Sequence, residues 1–327
     1  MSSNDEAQPH LEIPPEVVAV GETMGCFLIR DSSAAAELTF IGAESNVAIA
    51  LASLGHRVRW VSRLGDDRVG DLIVRALHDQ GVDAWAPRDP VRRTGVAIKE
   101  IGDTSTVVRY YRTDSAASVL RIEDVPPLTG ASWLHLTGIT PALSNACAEL
   151  THRLAEAAAG SGVRLSVDVN LRPVLWSSLS EAKAHILRLC RSADLVFVGE
   201  DESSALGLGE TAQEFVDLAG IDSRCVVVFK RGSNGADAAT EGASYTSVAL
   251  TGDVVDVTGA GDAFAAGFLG GMLRQLPIGD CLQFGHLMAS RVIGVPRDFA
   301  GPLGPEDAAA FGRFLDKVSY GNPGDVR

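Results

Sequence analysis

The chain has 327 residues, 46% of them hydrophobic and 21% charged, with a formal net charge of −14. That length allows one large α/β domain with a substantial core, whereas the acidity argues against a nucleic-acid surface and no apolar run approaches the roughly 18 residues of a membrane span. The five cysteines are odd in number and never form a Cys-x-x-Cys pair, and the seven histidines lack ligand spacing, which argues against a disulfide framework or zinc site and fits a reducing cytoplasm.

Residues 1–16 are polar, acidic and proline-containing, and read as a flexible N-terminal tail. The apolar run at 17–20 ends at Gly21 and predicts a buried parallel strand. Strand-like pieces follow at 26–30 and 37–41, then a helix at 45–54 with a polar start and Gly55 as a stop. A strand at 58–62, a turn at 64–70 and a helix at 71–80 come next. The rhythm then breaks: 95–101 and 106–112 alternate like two antiparallel strands around Gly102 and Asp103. Strands near 132–137, 163–168, 194–198 and 225–229 then alternate with helices near 143–159 and 180–192, and 263–274 reads as an apolar helix. Such alternation predicts a mostly parallel sheet covered by helices on both faces. The pieces at 26–41 and 95–112 stand outside it and predict a small separate sheet over the ligand site.

Thr258-Gly-Ala-Gly-Asp262 opens the apolar helix. Glycines at a helix mouth let the backbone turn sharply and approach a ligand closely. The first-turn amides lack partners, and the helix dipole adds positive potential. Gly259, Ala260 and Gly261 therefore read as an oxyanion cradle, and Asp262 as a base that takes a proton from an attacking hydroxyl. A helix N-terminus capped by Thr258 or Asp262 is the other reading of the short motif. The full run from Asp253 to Phe264 resembles the second signature of the ribokinase-like (PfkB) carbohydrate kinases.

Further motifs carry the same resemblance. Gly42-Ala-Glu-Ser-Asn46 alone is an ordinary glycine turn with a Ser or Asn cap, but with Val47, Ala48, Leu54 and Gly55 it is similar to the first signature, in which Gly-Gly and Asn contact the sugar, although Ile41 stands where the first glycine is usual. In a strand Tyr110 and Arg112 share one face, and a hydroxyl beside a guanidinium fork suits a ligand with hydroxyls and a carboxylate. A solvated strand face is the alternative. The run from Arg109 to Ser118 resembles 2-keto-3-deoxygluconate kinases, in which the equivalents of Tyr110 and Arg112 hold the substrate. Asp168, Asn170 and Arg172 follow a strand at the carboxyl edge where α/β sheets bind ligands, and would point one way if strand geometry persists. A turn broken by Pro173 is the alternative. By resemblance to keto-sugar kinases Arg172 is a second substrate cation. Two buried arginines without an anionic ligand are costly unless Asp168, Glu44 or Asp114 pairs with them. The family carries Asn-x-x-Glu to organise magnesium and phosphate through water; Glu202 matches, and Gly199 replaces the Asn. Three adjacent acids would also suit a helix start. Lys230 and Gly232 resemble the Lys-x-Gly turn near the nucleotide, with a charged loop as the alternative; Thr258 and Gly261 join them, and 286–297 lines the adenine pocket by analogy.

The resemblance covers residues 17–315 and implies a ribokinase-like three-layer α/β/α sandwich with a small β-sheet lid (26–41 and 95–112), in a kinase domain at 17–318 followed by a C-terminal tail at 319–327. It implies transfer of the ATP γ-phosphoryl group, with Mg²⁺, to a primary hydroxyl of a sugar or keto-sugar acid, 2-keto-3-deoxygluconate first. Fructose, ribose or a nucleoside are the other acceptors of the family, and a non-catalytic sugar- and nucleotide-binding regulator is the reading from another class. Asp256 either shapes the loop or neighbours a monovalent cation such as K⁺. The implied partners are small molecules, with neither nucleic acid nor membrane, and a homodimer through the lid is compatible with the motifs.

Overall fold

The structure is a computed structural model and describes residues 13–30, 35–102, 106–250 and 254–320. Residues 1–12 of the expected tail at 1–16, residues 321–327 of the expected tail at 319–327, the tip of the 26–41 segment, Asp103 in the small-sheet turn and Asp253 lie outside the described residues. Glu16, which composition puts in the tail, is instead tied to the domain. Its amide donates to the Arg57 carbonyl oxygen at 2.8 Å, and its own carbonyl oxygen accepts from the Trp133 amide at 3.0 Å. The last helix, Pro305–Tyr320, runs two residues past the expected domain end.

A nine-stranded sheet forms the centre, in the spatial order Ala243–Ser247, Ala236–Thr240, Val226–Lys230, Leu195–Gly199, Arg164–Asp168, Trp133–Thr137, Val17–Val20, Val58–Val61 and Asp83–Trp85. The pairs from Val226–Lys230 to Asp83–Trp85 are parallel, and the two strands at the other edge are antiparallel. Alternate residues of each strand divide between two cores. Val17, Trp133 and Phe197 pack with Ile49, Leu77, Phe268 and Phe284 on one face. Val18, Leu134 and Val196 pack with Leu150, Leu154, Ile186 and Phe215 on the other. That division is the three-layer α/β/α architecture expected from the alternation. Burying a side chain such as Phe197, whose ring meets Phe268 edge-on at 5.6 Å, contributes about 1.5–3 kcal/mol.

Side-chain caps set several helix starts. Asp67 accepts from the Gly70 amide at 2.9 Å, so the helix Arg68–Asp79 begins within the stretch expected to be a turn. Ser144 and Ser178 cap Asn145–Ser161 and Leu179–Cys190 in the same way. A second, four-stranded sheet stands outside the layers, in the order Ala36–Ile41, Met24–Arg30, Val96–Ile101 and Thr106–Tyr111. Its inner face buries Met24, Cys26, Ile41 and Ala97, while Phe27, Leu38, Val107 and Tyr111 are exposed. The two segments expected to form a separate sheet therefore do so. All five cysteines are buried and unpaired, and among the described residues no helix is long and apolar enough to cross a membrane.

Candidate active site

The carboxyl ends of the parallel strands and the inner face of the small sheet enclose a cavity of about 590 Å³. Gly42, Asn46, Tyr110, Arg112, Arg172, Glu202, Lys230, Gly232, Thr258, Gly259, Gly261 and Asp262 all line it. Twelve of the thirteen residues singled out from sequence are thus brought to one place; the thirteenth, Ala260, faces a neighbouring cavity.

Asp262 lies in the first turn of the helix Ala260–Leu273. Its Oδ2 accepts from Asn46 Nδ2 at 2.8 Å and its Oδ1 from Asn170 Nδ2 at 3.3 Å. Burial at the cavity floor raises its pKa to about 7; the Asn46 hydrogen bond opposes the rise and nearby Asp168 adds to it. The residue is half-buried by surface, but the protein walls around the carboxylate remove most of its solvation. Gly259 precedes the helix at φ +81°, and a Cβ there would lie 2.1 Å from the Asp298 carbonyl oxygen, so both conformation and space demand glycine. The Ala260 amide donates to the Val257 carbonyl oxygen at 3.2 Å. The tight turn thus engages one of the amides expected in an anion cradle, and Gly259, Gly261 and Asp262 remain as its candidate donors.

Asp168, expected beside Asn170 and Arg172, instead lies beneath the site. Lys230 Nζ donates to both its oxygens, at 3.0 and 2.7 Å. Burial alone would lower the Lys230 pKa, but Asp168 and Glu202 raise it on balance, so the ammonium stays charged. The strand geometry does not persist past Asp168: Asn170 takes φ +36°, which turns its amide onto Asp262. Glu202 Oε1 accepts from the Leu171 amide at 2.9 Å and Oε2 from the Gly199 amide at 2.7 Å. Burial raises its pKa. Both oxygens are oriented by backbone. Among the described residues no cluster of acids, His and Cys cages a metal.

On the other wall, Arg112 is ion-paired with the buried Glu22, whose other oxygen accepts from Ser115 Oγ at 2.5 Å. Glu22 is therefore the partner of Arg112, in place of Asp168, Glu44 or Asp114. Glu44 is engaged elsewhere: its Oε1 accepts from Thr137 and Thr140 hydroxyls at 2.7 and 2.8 Å. Arg172, expected to be a second buried cation, is instead exposed at the cavity rim because the chain turns outward after Leu171; it forms no ion pair among the described residues and donates to the Leu171 carbonyl oxygen at 3.0 Å. Gly42 has extended backbone, and a Cβ there would lie 2.6 Å from the Glu22 carbonyl oxygen, so the helix start Ala43–Ser53 can press against that strand end. Ile41, in place of a glycine, is buried and also lines the cavity.

A second cavity of about 450 Å³ meets the first at Lys230, Gly232 and Gly261. Ala236, Phe264, His286, Ala289 and Ile293 make it largely apolar, and three of these fall in the stretch expected to line an adenine pocket. Asp256 Oδ1 accepts from the Thr258 amide at 3.1 Å and hydroxyl at 2.8 Å, so it shapes the loop. Its Oδ2 lies 2.5 Å from Lys99 Nζ, which lies 2.5 Å from Asp298 Oδ1 as well. Sequence reasoning missed Glu22, Lys99 and Asp298. The available signals were weak: Glu22 follows a predicted strand end, and Lys99 has the parity of inward-facing Ala97.

Residues 15–298 match the sequence model of the pfkB family carbohydrate kinases. A 2-dehydro-3-deoxygluconokinase of Bacillus subtilis is 32% identical over 309 residues, covering 90% of this chain and 95% of that protein. A 2-dehydro-3-deoxygalactonokinase of Haloferax volcanii is 32% identical over 300 residues, covering 87% and 93%. A fructokinase double mutant of Vibrio cholerae, solved with fructose, ADP and potassium ion, superposes with a TM-score of 0.80 at 25% identity, covering 90% of this chain and 98% of that one.

Proposed function

The chain belongs to the pfkB family of carbohydrate kinases and is an ATP-dependent sugar kinase, and from that premise we propose that its acceptor is a keto-sugar acid, 2-keto-3-deoxygluconate first. The observation that carries this reading is Arg172: a guanidinium on the cavity wall with no ion pair among the described residues. Arg172 is exposed at the cavity rim and hydrated there, so it is free to give a ligand carboxylate charge-assisted bonds in place of water. Arg112, already neutralised by Glu22, and Tyr110 would then grip the hydroxyls beside it. The Bacillus and Haloferax relatives named for keto-sugar acids support the assignment, while the fructokinase marks fructose as its main competitor.

In the same reading the acceptor hydroxyl meets Asp262, whose oxygens are held by Asn46 and Asn170. Asp262 takes the hydroxyl proton as the oxygen attacks the γ-phosphorus, a role worth about 10²–10⁴-fold in rate. The amides of Gly261 and Asp262 and the helix dipole stabilise charge on the transferring group. Lys230 sits beside this cradle as a fixed cation. Mg²⁺ on the nucleotide would supply further charge neutralisation, with Glu202 positioned to hold a water of its shell. The adenine enters the apolar cavity past Gly232, against His286 and Ile293. The small sheet acts as a lid that excludes water, and its exposed Phe27, Leu38 and Tyr111 suit a second copy of the chain. Buried free thiols fit a reducing compartment, and we place the enzyme in the cytoplasm.

Measured ADP release across a panel of keto-sugar acids, neutral sugars and nucleosides tests the assignment. The highest kcat/KM is expected with 2-keto-3-deoxygluconate. A preference for fructose or ribose would overturn the acceptor and leave the kinase intact.

A further inference from the structure

Lys99 is the one lysine among the largest fully buried side chains, with 1% of its surface exposed. It comes from the small sheet and crosses to the main body, where Asp256 and Asp298 close on its ammonium, each 2.5 Å away. A buried lysine is costly unless paired. Burial alone would depress its pKa, but the two aspartates raise it, so the group is a permanent cation. Its partners belong to the cradle. Asp256 binds the amide and hydroxyl of Thr258, and the Asp298 backbone presses on Gly259 so closely that a Cβ there would lie 2.1 Å from its carbonyl oxygen. One ammonium therefore ties both walls of the Thr258–Asp262 loop together and links them to the lid sheet.

We propose that Lys99 is a built-in counter-ion that positions the anion cradle in place of a dissociable monovalent cation, making turnover independent of K⁺. The sequence leaves room for such an ion beside Asp256; the residues present do not, because the ammonium fills the space between the two carboxylates. Removing it would leave two buried like charges around a gap sized for an ammonium or potassium ion, and such a gap calls for a cation. The proposal rests on the reading of Thr258–Asp262 as the phosphoryl cradle.

The test measures ADP release by the full-length protein in buffers whose only cation besides Mg²⁺ is tetramethylammonium, with and without added K⁺ or NH₄⁺. Wild type should turn over equally in all of them. Lys99→Ala should lose about 100-fold in kcat, the scale of a misplaced reacting group, and recover most of it with K⁺ or NH₄⁺ but not with tetramethylammonium. A wild type that needs K⁺ overturns the proposal even if the variant fails to fold. So does a folded variant that no cation rescues, or one that recovers on acidification alone, which would mean that Asp298 takes a proton instead. Asp262→Asn assayed in parallel separates the two readings: if it retains turnover the cradle reading fails, and if it is inactive while wild type requires K⁺, only the role of Lys99 falls.

Discussion

Two cavities meet at Gly261, and they are built on opposite principles. The one under the small sheet is walled by Glu22, Asn46, Arg112, Arg172 and Asp262, with Arg112 ion-paired to Glu22 and Asp262 held by the Asn46 amide. The one beyond the cradle is walled by Ala236, Phe264, Ala289 and Ile293, with few polar groups. A polar wall discriminates strongly, because each unmatched buried group is left unpaired. An apolar wall adds affinity in proportion to buried area and tolerates small changes of shape. Acceptor choice and chemistry should therefore break with single substitutions on the first side, while the second side should yield only graded losses of nucleotide affinity.

The sharpest break is at the seam. Asp262→Asn keeps the side-chain shape and accepts from one of Asn46 and Asn170, while the other must flip to offer its oxygen; it loses the proposed base, so kcat should fall by about 10²–10⁴-fold with ADP affinity unchanged. Comparable turnover in the purified variant would remove Asp262 from the chemistry. Next, Arg172→Leu should reduce kcat/KM for 2-keto-3-deoxygluconate by about 10- to 100-fold, the worth of a charge-assisted hydrogen bond, with little change for fructose. Equal losses on both acceptors would mean that Arg172 shapes the wall instead of reading a carboxylate. Arg112 is the less clean probe, because its removal strands the buried Glu22.

The pH profile gives a third, smaller effect. With its pKa raised to about 7 by burial, Asp262 is protonated below that pH and cannot accept a proton. Turnover should thus fall on the acid side, about tenfold for each pH unit below the midpoint. A flat profile down to pH 5 would contradict the geometry. Smallest of all, Ile293→Val removes one methylene from the apolar wall. It should raise KM for ATP by about 3- to 4-fold, matching roughly 0.8 kcal/mol, and leave the acceptor KM alone. A change in the acceptor KM would show that the two cavities are not separable.

Much of the frame was legible in the chain itself. Buried strands such as Val17–Val20 and Leu195–Gly199 stand out as apolar runs bounded by turn residues, and the glycine-rich cradle marks the helix Ala260–Leu273. The segments 26–41 and 95–112 declared their separateness by breaking the alternation of strand and helix. Other features were hidden. Ala236–Thr240 and Ala243–Ser247 are rich in alanine and small polar residues, with little strand propensity, and become strands by pairing on the sheet edge. The start of Arg68–Asp79 depends on the Asp67 cap, which a loop with two adjacent aspartates obscures.

Local order determined which residue types stand at the helix mouths and strand ends, because periodicity, caps and glycine turns act over a few positions. It thereby determined the class of fold and most of the cavity wall. Which charge meets which was decided only by tertiary structure. Asn46 reaches Asp262 across 216 positions, Lys99 reaches Asp298 across 199, and Arg112 finds Glu22 where three other acids looked equally available. An ion pair depends on distance and burial, and neither exists for residues so far apart until the sheet order and the docking of the small sheet bring them together.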